Sequence, residues 1–170
     1  QANPDGITVL GSHGLRLGGT DFDRAVSLDR VMPALGKGGT LRKVIGPGTS
    51  PVPNAIFNDL ATWEMIPFLY TAQNRNGVAE MLRLAEDPER LTRLATVLRD
   101  ELGHDLAFAV ERGKIEANQG ANDAQIDLGV IEPGLSIPLH QDHLALCLGP
   151  QARLLEAELT HVLDRAALGA

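Results

Sequence analysis

The run from Asp87 to Asn118 constrains this chain most, and it reads as one long helix. Asp87 is placed to cap the first free N–H groups, Pro88 suits the first helical position, and Glu89 complements the positive end of the helix dipole. Leu91, Ala95, Leu98, Leu102, Leu106 and Ala109 recur at helical spacing and form one apolar stripe. At about 100° per residue, Glu111, Lys114 and Asn118 project together from roughly the opposite side. One face is therefore expected to be buried. The other carries an acid, a base and an amide towards its C-terminal end. A polar face of this kind is ordinarily a solvated surface, so its meaning depends on the motifs found elsewhere.

A length of 170 residues suits one domain with a real core, read here as a single unit over 1–170. Hydrophobic residues make up 44% of the chain but aromatics only 4%, so the core has to be built from Leu, Val, Ile and Ala. A formal charge of −7 argues against a nucleic-acid backbone or an anionic membrane as the main partner. It leaves room for a nucleotide in a locally basic pocket. The lone Cys147 sits in an apolar run, where a buried thiol is expected and a reducing, cytoplasmic setting fits. No apolar run approaches the roughly 20 residues that span a bilayer. The chain opens on Gln1 rather than Met, so it reads as a piece of a longer protein.

In chain order, Ile7–Leu10 is β-prone, and Gly11–Gly14 turns it back into Leu15–Leu17. Gly18-Gly19 ends that hairpin, and Thr20 or Asp21 is placed to cap a helix running from Phe22 towards Ala34. The glycines and prolines of 36–54 predict a flexible loop, with Lys37, Arg42 and Lys43 as solvated charge. Helices are expected near 55–63, 65–73 and 77–85, interrupted at Pro67 and at Asn74–Gly77. The aromatic residues of this part, Trp63 among them, read as a local core more readily than as a ligand cage, with an interaction surface as the functional alternative. After the long helix, 125–130 and 135–139 predict a β-hairpin with a type II turn at Glu132-Pro133-Gly134. Two closing helices are expected, near 142–148 and 151–167, separated at Gly149-Pro150. The sum is an α+β fold: a small antiparallel sheet packed by helices, with the long helix at its centre.

The chemistry-bearing patterns are few. His140, Asp142 and His143 have no metal-ligand spacing, and Asp142 reads more simply as a helix cap. Cys147 has no base close by in sequence, and no Gly-x-Ser-x-Gly occurs. What remains is Leu17-Gly18-Gly19-Thr20-Asp21-Phe22-Asp23 taken with Glu111-Arg-Gly-Lys114-Ile-Glu-Ala-Asn118. The glycines let a backbone come close to a ligand, and helix N-terminal N–H groups favour anions.

The stretch from Ile7 to Asp23 resembles the strand–turn–strand and Leu-Gly-Gly-x-Asp-Phe-Asp signature of the DnaK-type heat-shock chaperone family. Glu111-x-x-Lys114-Ile-Glu-x-Asn118 is similar to the family's Glu-x-x-Lys-Ile-Glu-Leu-Ser helix, with Asn118 where Ser is usual. The last part, from Leu135 onward, follows the pattern that closes the same subdomain, with Gln141 where an Arg is common. The segment 36–87 is longer than usual, which points to the divergent YegD-like branch, with 55–87 as a family-atypical helical insertion.

The resemblance implies the outer subdomain of the second lobe of an actin-like ATPase fold. It implies that Gly19 approaches the nucleotide and that Glu111, Lys114 and Asn118 line the adenosine side of an ATP/ADP cleft. The phosphate-gripping and Mg-binding elements would lie in the rest of the nucleotide-binding domain, the first partner implied. A nucleotide-exchange factor or a client protein would be others, and catalysis would belong to the parent ATPase rather than to this chain. The rival reading is a protein-interaction module of a pseudo-chaperone that no longer turns over ATP.

Overall fold

A computed structural model describes residues 12–166. The expected strand at Ile7–Leu10 lies outside them, and Leu15–Leu17 is irregular. The fold is α+β, mostly helical, with two small antiparallel sheets. Helix α1 spans Gly19–Val26. It widens into a π-helical turn at Ser27–Val31 and tightens into a 3-10 turn at Met32–Leu35. That run ends at Gly36, whose φ is 108°. A side chain at Gly36 would be strained by that conformation and would also meet Leu91, with its Cβ 2.8 Å from Leu91 Cδ2.

The segment 36–54, expected as a flexible loop, holds a short hairpin. It contains strands β1 (Thr40–Arg42) and β2 (Thr49–Pro51), paired antiparallel with Leu41 opposite Ser50. Leu41 and Val52 are buried in the main core. The glycines expected to unstructure the segment instead form the hairpin's turn: Gly46 and Gly48 both have positive φ.

Helix α2 (Ala55–Leu60) is followed by a 3-10 stretch at Trp63–Phe68 and by α3 (Ala72–Leu84). The expected break at Asn74–Gly77 does not occur. Thr71 Oγ1 accepts from the Asn74 N–H, so the polar run starts α3 instead of interrupting it.

The long helix is also corrected, because it is two helices: α4 (Pro88–Asp100) and α5 (Gly103–Asn118). Between them Glu101 takes the left-handed conformation, with φ 58°, and the Leu102 N–H reaches back to the Val97 carbonyl at 3.1 Å. Tyr70 fastens the break. Its hydroxyl donates to the Glu101 carbonyl at 3.1 Å and accepts from the Gly103 N–H at 3.0 Å. Burial raises the Tyr70 phenol above its ordinary pKa, which keeps the proton it donates.

Helix α5 is the central element. It packs against α1, against the Trp63–Phe68 turn, and against the second hairpin, β3 (Gln125–Asp127) with β4 (Ser136–Pro138). This hairpin follows the sequence pattern: Ala124, Ile126 and Leu128 alternate into the core. Gly134 has φ 81°, and the Leu135 N–H donates to the Glu132 carbonyl at 3.0 Å, as a type II turn requires. The two expected closing helices are one, α6 (Gln141–Arg165), which runs through Pro150. Pro150 cannot donate to the carbonyl of Leu146, and Leu146 is exposed, where water can supply the missing donor. Asp142 is not the cap; at the start of α6 the His140 N–H donates to His143 Nδ1 at 3.2 Å.

Two glycines test this packing in opposite directions. A Cβ at Gly113 would stand 2.9 Å from the Gln125 carbonyl oxygen, so Gly113→Ala must push the hairpin off α5. It should lower stability by about 1–3 kcal/mol. Gly77 lies inside α3 with nothing within 4 Å of an added Cβ, so Gly77→Ala should raise stability by about 0.5–1 kcal/mol. Chemical denaturation of both variants checks the pair; a neutral Gly113→Ala would contradict the close helix–hairpin approach.

Candidate functional site

The two motifs, nearly a hundred residues apart in the chain, lie against each other. Helix α1 crosses α5, and Lys114 Nζ is 2.5 Å from Asp23 Oδ1. Both side chains are largely covered, at 19% and 22% exposed. Asp23 Oδ1 is shut off from solvent and accepts no well-aligned hydrogen bond among the described residues, so the ion pair with Lys114 is what compensates its burial. Lys114 is therefore not a free cation on a solvated face, as the spacing alone suggested. It holds the first helix to the central one.

Either side of this crossing lies a hollow. The first, near 200 Å³, is lined by Thr20 and Asp23 of α1 and by Ser27, which opens the π-helical turn that follows. Across from them are Phe108 and Glu111 of α5, with Trp63 closing the end. Glu111 is exposed and makes no hydrogen bond or ion pair among the described residues. The second hollow, near 260 Å³, is more apolar, and Asn118, Phe22, Leu144 and Leu148 line it. Glu111 and Asn118 thus face different hollows, with Lys114 between them. The expected trio does share one side of α5, but α1 divides it.

Gly19 opens α1 and is exposed, with nothing within 4 Å of where a side chain would begin. Neither Gly18 nor Gly19 takes a left-handed conformation, so what the pair leaves is space rather than an unusual backbone. The Gly18 N–H already donates to Asp21 Oδ2 at 2.8 Å, so Asp21 serves the helix start and Thr20 is left facing the first hollow.

Several lining residues escaped the sequence reading. Asp23 was visible only as part of a motif, and Ser27 follows it by one turn on the same face. Trp63, expected in a local core, is 39% exposed, whereas Phe57 is fully buried. The spacing Phe108–Glu111 was the available signal, because it places a ring and a carboxylate one turn apart.

The thiol needs a correction too. Cys147 has a carboxylate beside it: Sγ donates to Asp29 Oδ2 at 3.1 Å. Burial, and then this hydrogen bond to an anion, push its pKa up to about 12. The neighbour stabilises the thiol rather than the thiolate. Among the described residues, no three His, Cys, Asp or Glu side chains are placed to hold a metal ion, and no helix is long and apolar enough to cross a membrane. No protein-family model matches the chain, and no solved structure matches it.

Two measurements follow from this geometry. Lys114→Ala strands the covered Asp23 carboxylate and should cost about 1–3 kcal/mol of stability, most of it recovered when Asp23→Asn is added. Equal costs in the two backgrounds would show that the pair contributes nothing. Cys147, held as a thiol, should react with thiol reagents at mildly alkaline pH far more slowly than an unstructured cysteine. Asp29→Asn removes the anion that opposes ionisation and should speed the reaction. Wild-type reactivity equal to that of a free cysteine would contradict the contact.

Proposed function

We propose that this chain is the adenosine-side wall of the ATP/ADP-binding domain of a DnaK-type, YegD-like chaperone relative. In this reading it is the outer subdomain of the second lobe of an actin-like ATPase fold, working in the cytoplasm. The observation that carries the reading is the Asp23–Lys114 contact. The two sequence motifs that resemble the family are separate in the chain and meet in space at one wall. The helix-rich α+β architecture, with a small antiparallel sheet packed on the central helix, supports it at a coarser level.

The lining chemistry suits the nucleoside end of a nucleotide. Glu111 is an exposed carboxylate with no other partner among the described residues, which can accept from two neighbouring ribose hydroxyls. Thr20 and Ser27 add hydroxyl groups, and Trp63 and Phe108 add apolar surface. The hollow is smaller than the roughly 300 Å³ at which ligand pockets begin, so it has room for a base or a sugar and not for a whole nucleotide. The unpaired Glu111 carboxylate on the lining also disfavours phosphate. The phosphates and Mg are then held by the rest of the nucleotide-binding domain, which makes that part the obligate partner. Lys114 supports the site by fixing α1, and Gly19 leaves open space at its edge. Asn118 belongs to the neighbouring hollow and is the weakest of the four assignments.

One set of observations favours a second reading, a protein-interaction module. Leu154, Leu155, Leu159 and Leu163 are exposed along α6, and Val44 and Ile45 are exposed at the tip of the first hairpin. Such surfaces serve partners, whether an exchange factor, a client or the rest of the parent protein.

Glu111 separates the two. It bears no visible structural load, so Glu111→Ala in the protein that carries this chain should leave the melting temperature near wild type. Adenosine-nucleotide affinity should fall by about 1.5–3 kcal/mol, the scale of a hydrogen bond to a charged group. Unchanged affinity for ADP and ATP would move the function to the apolar surfaces.

A further inference from the structure

We propose that Trp63, in the 55–87 segment outside the resemblance, is the aromatic wall against which a planar base stacks beside Glu111. This rests on the nucleotide-cleft reading and adds a recognition residue to it. The segment would then be part of the binding site rather than an ornament on the fold.

The neighbouring Phe57 and Ile66 are fully buried, yet Trp63 stays 39% exposed on the rim of the hollow. Leaving a large indole at the surface forgoes burial that the fold could have used. The ring is nonetheless held firmly. His104 lies edge-on with centroids 4.7 Å apart, and Phe108 likewise at 5.3 Å. These two partners stand one turn apart on α5, and Glu111 is the next residue on that side. An indole, a phenyl ring and a carboxylate therefore follow one another along a single wall, with their positions set before any ligand arrives. The indole N–H donates to nothing among the described residues, so it too is available.

The electrostatics choose the ligand's orientation. Asp23 and Glu111 are the charged groups on this lining; Lys114 is taken by Asp23, and the Arg24 guanidinium donates to Thr62 Oγ1 at 3.0 Å. A phosphate is disfavoured here, whereas an uncharged base with an attached polyol meets π surface, hydroxyls and a carboxylate together. The ligand class is a nucleoside, entering base first along Trp63 with its sugar towards Glu111.

The chain contains one tryptophan, so its indole N–H gives a single, unambiguous nuclear magnetic resonance signal. The test titrates the isotopically labelled 170-residue chain with adenosine and, separately, with ribose. Adenosine is expected to shift the Trp63 indole signal and the Glu111 backbone amide along one saturation curve, and ribose to leave the indole signal in place. Trp63→Ala should weaken adenosine roughly fivefold or more, the range of a lost base–aromatic stack, and Trp63→Phe should recover part of that loss. If adenosine shifts Glu111 and Gly19 but not the indole, and Trp63→Ala binds as wild type does, the stacking role is overturned while the cleft reading stands. If adenosine at millimolar concentration moves none of these signals, the stacking role is overturned, and the cleft reading is decided separately by Glu111→Ala in the protein that carries this chain.

Discussion

The hydroxyl of Tyr70 sits where α4 ends and α5 begins, accepting from one orphaned backbone N–H and donating to one orphaned carbonyl. Glu101 is exposed but Gly103 is buried, and an unpaired N–H at a buried helix start is costly unless something satisfies it. With the break secured, α5 is free to leave the direction of α4 and become the surface on which the rest assembles. The second hairpin approaches it at Gly113, the Trp63–Phe68 turn packs along its first half, and α1 crosses its second half. Tyr70 comes from the same segment as Trp63. One stretch of chain therefore both sets the course of the central helix and furnishes a ring at the edge of the candidate site.

The site itself is a balance of charges between α1 and α5. Lys114 neutralises a covered Asp23, and this fixes the two helices at a spacing that leaves a hollow beside them. Glu111 is the acid left over. An unpaired carboxylate next to aromatic surface is a poor phosphate site and a good partner for hydroxyl donors. That asymmetry supports the proposal that the ligand is the nucleoside end of a nucleotide.

Much of the fold was legible where local pattern and tertiary packing agree. The 125–139 hairpin was readable because its period-two burial and its Pro-Gly turn point the same way. The errors share one physical origin, namely tertiary contacts that override a local signal. Leu102 continues the apolar stripe of the expected long helix, so only Gly103 hinted at a break that Tyr70, thirty-odd residues earlier, enforces. Gly77 and Pro150 both signal interruption, yet each sits on an exposed helix face that tolerates it. The 36–54 glycines signalled disorder, but Leu41 and Val52 anchor the segment to the core. For the site, spacing placed Glu111, Lys114 and Asn118 on one side of a helix. It could not show that α1 lies across that side, pairs with Lys114 and separates the other two.

The central claim is that the 17–23 and 111–118 motifs form one nucleotide-binding wall in the parent protein. Hydrogen–deuterium exchange of the protein that carries this chain, with and without saturating ADP, tests it most directly. The account predicts that ADP slows exchange together at 19–27 and 104–114, while the distant β1–β2 hairpin is unchanged. Protection confined to the hairpin and the exposed face of α6, or no change in either motif, would contradict it.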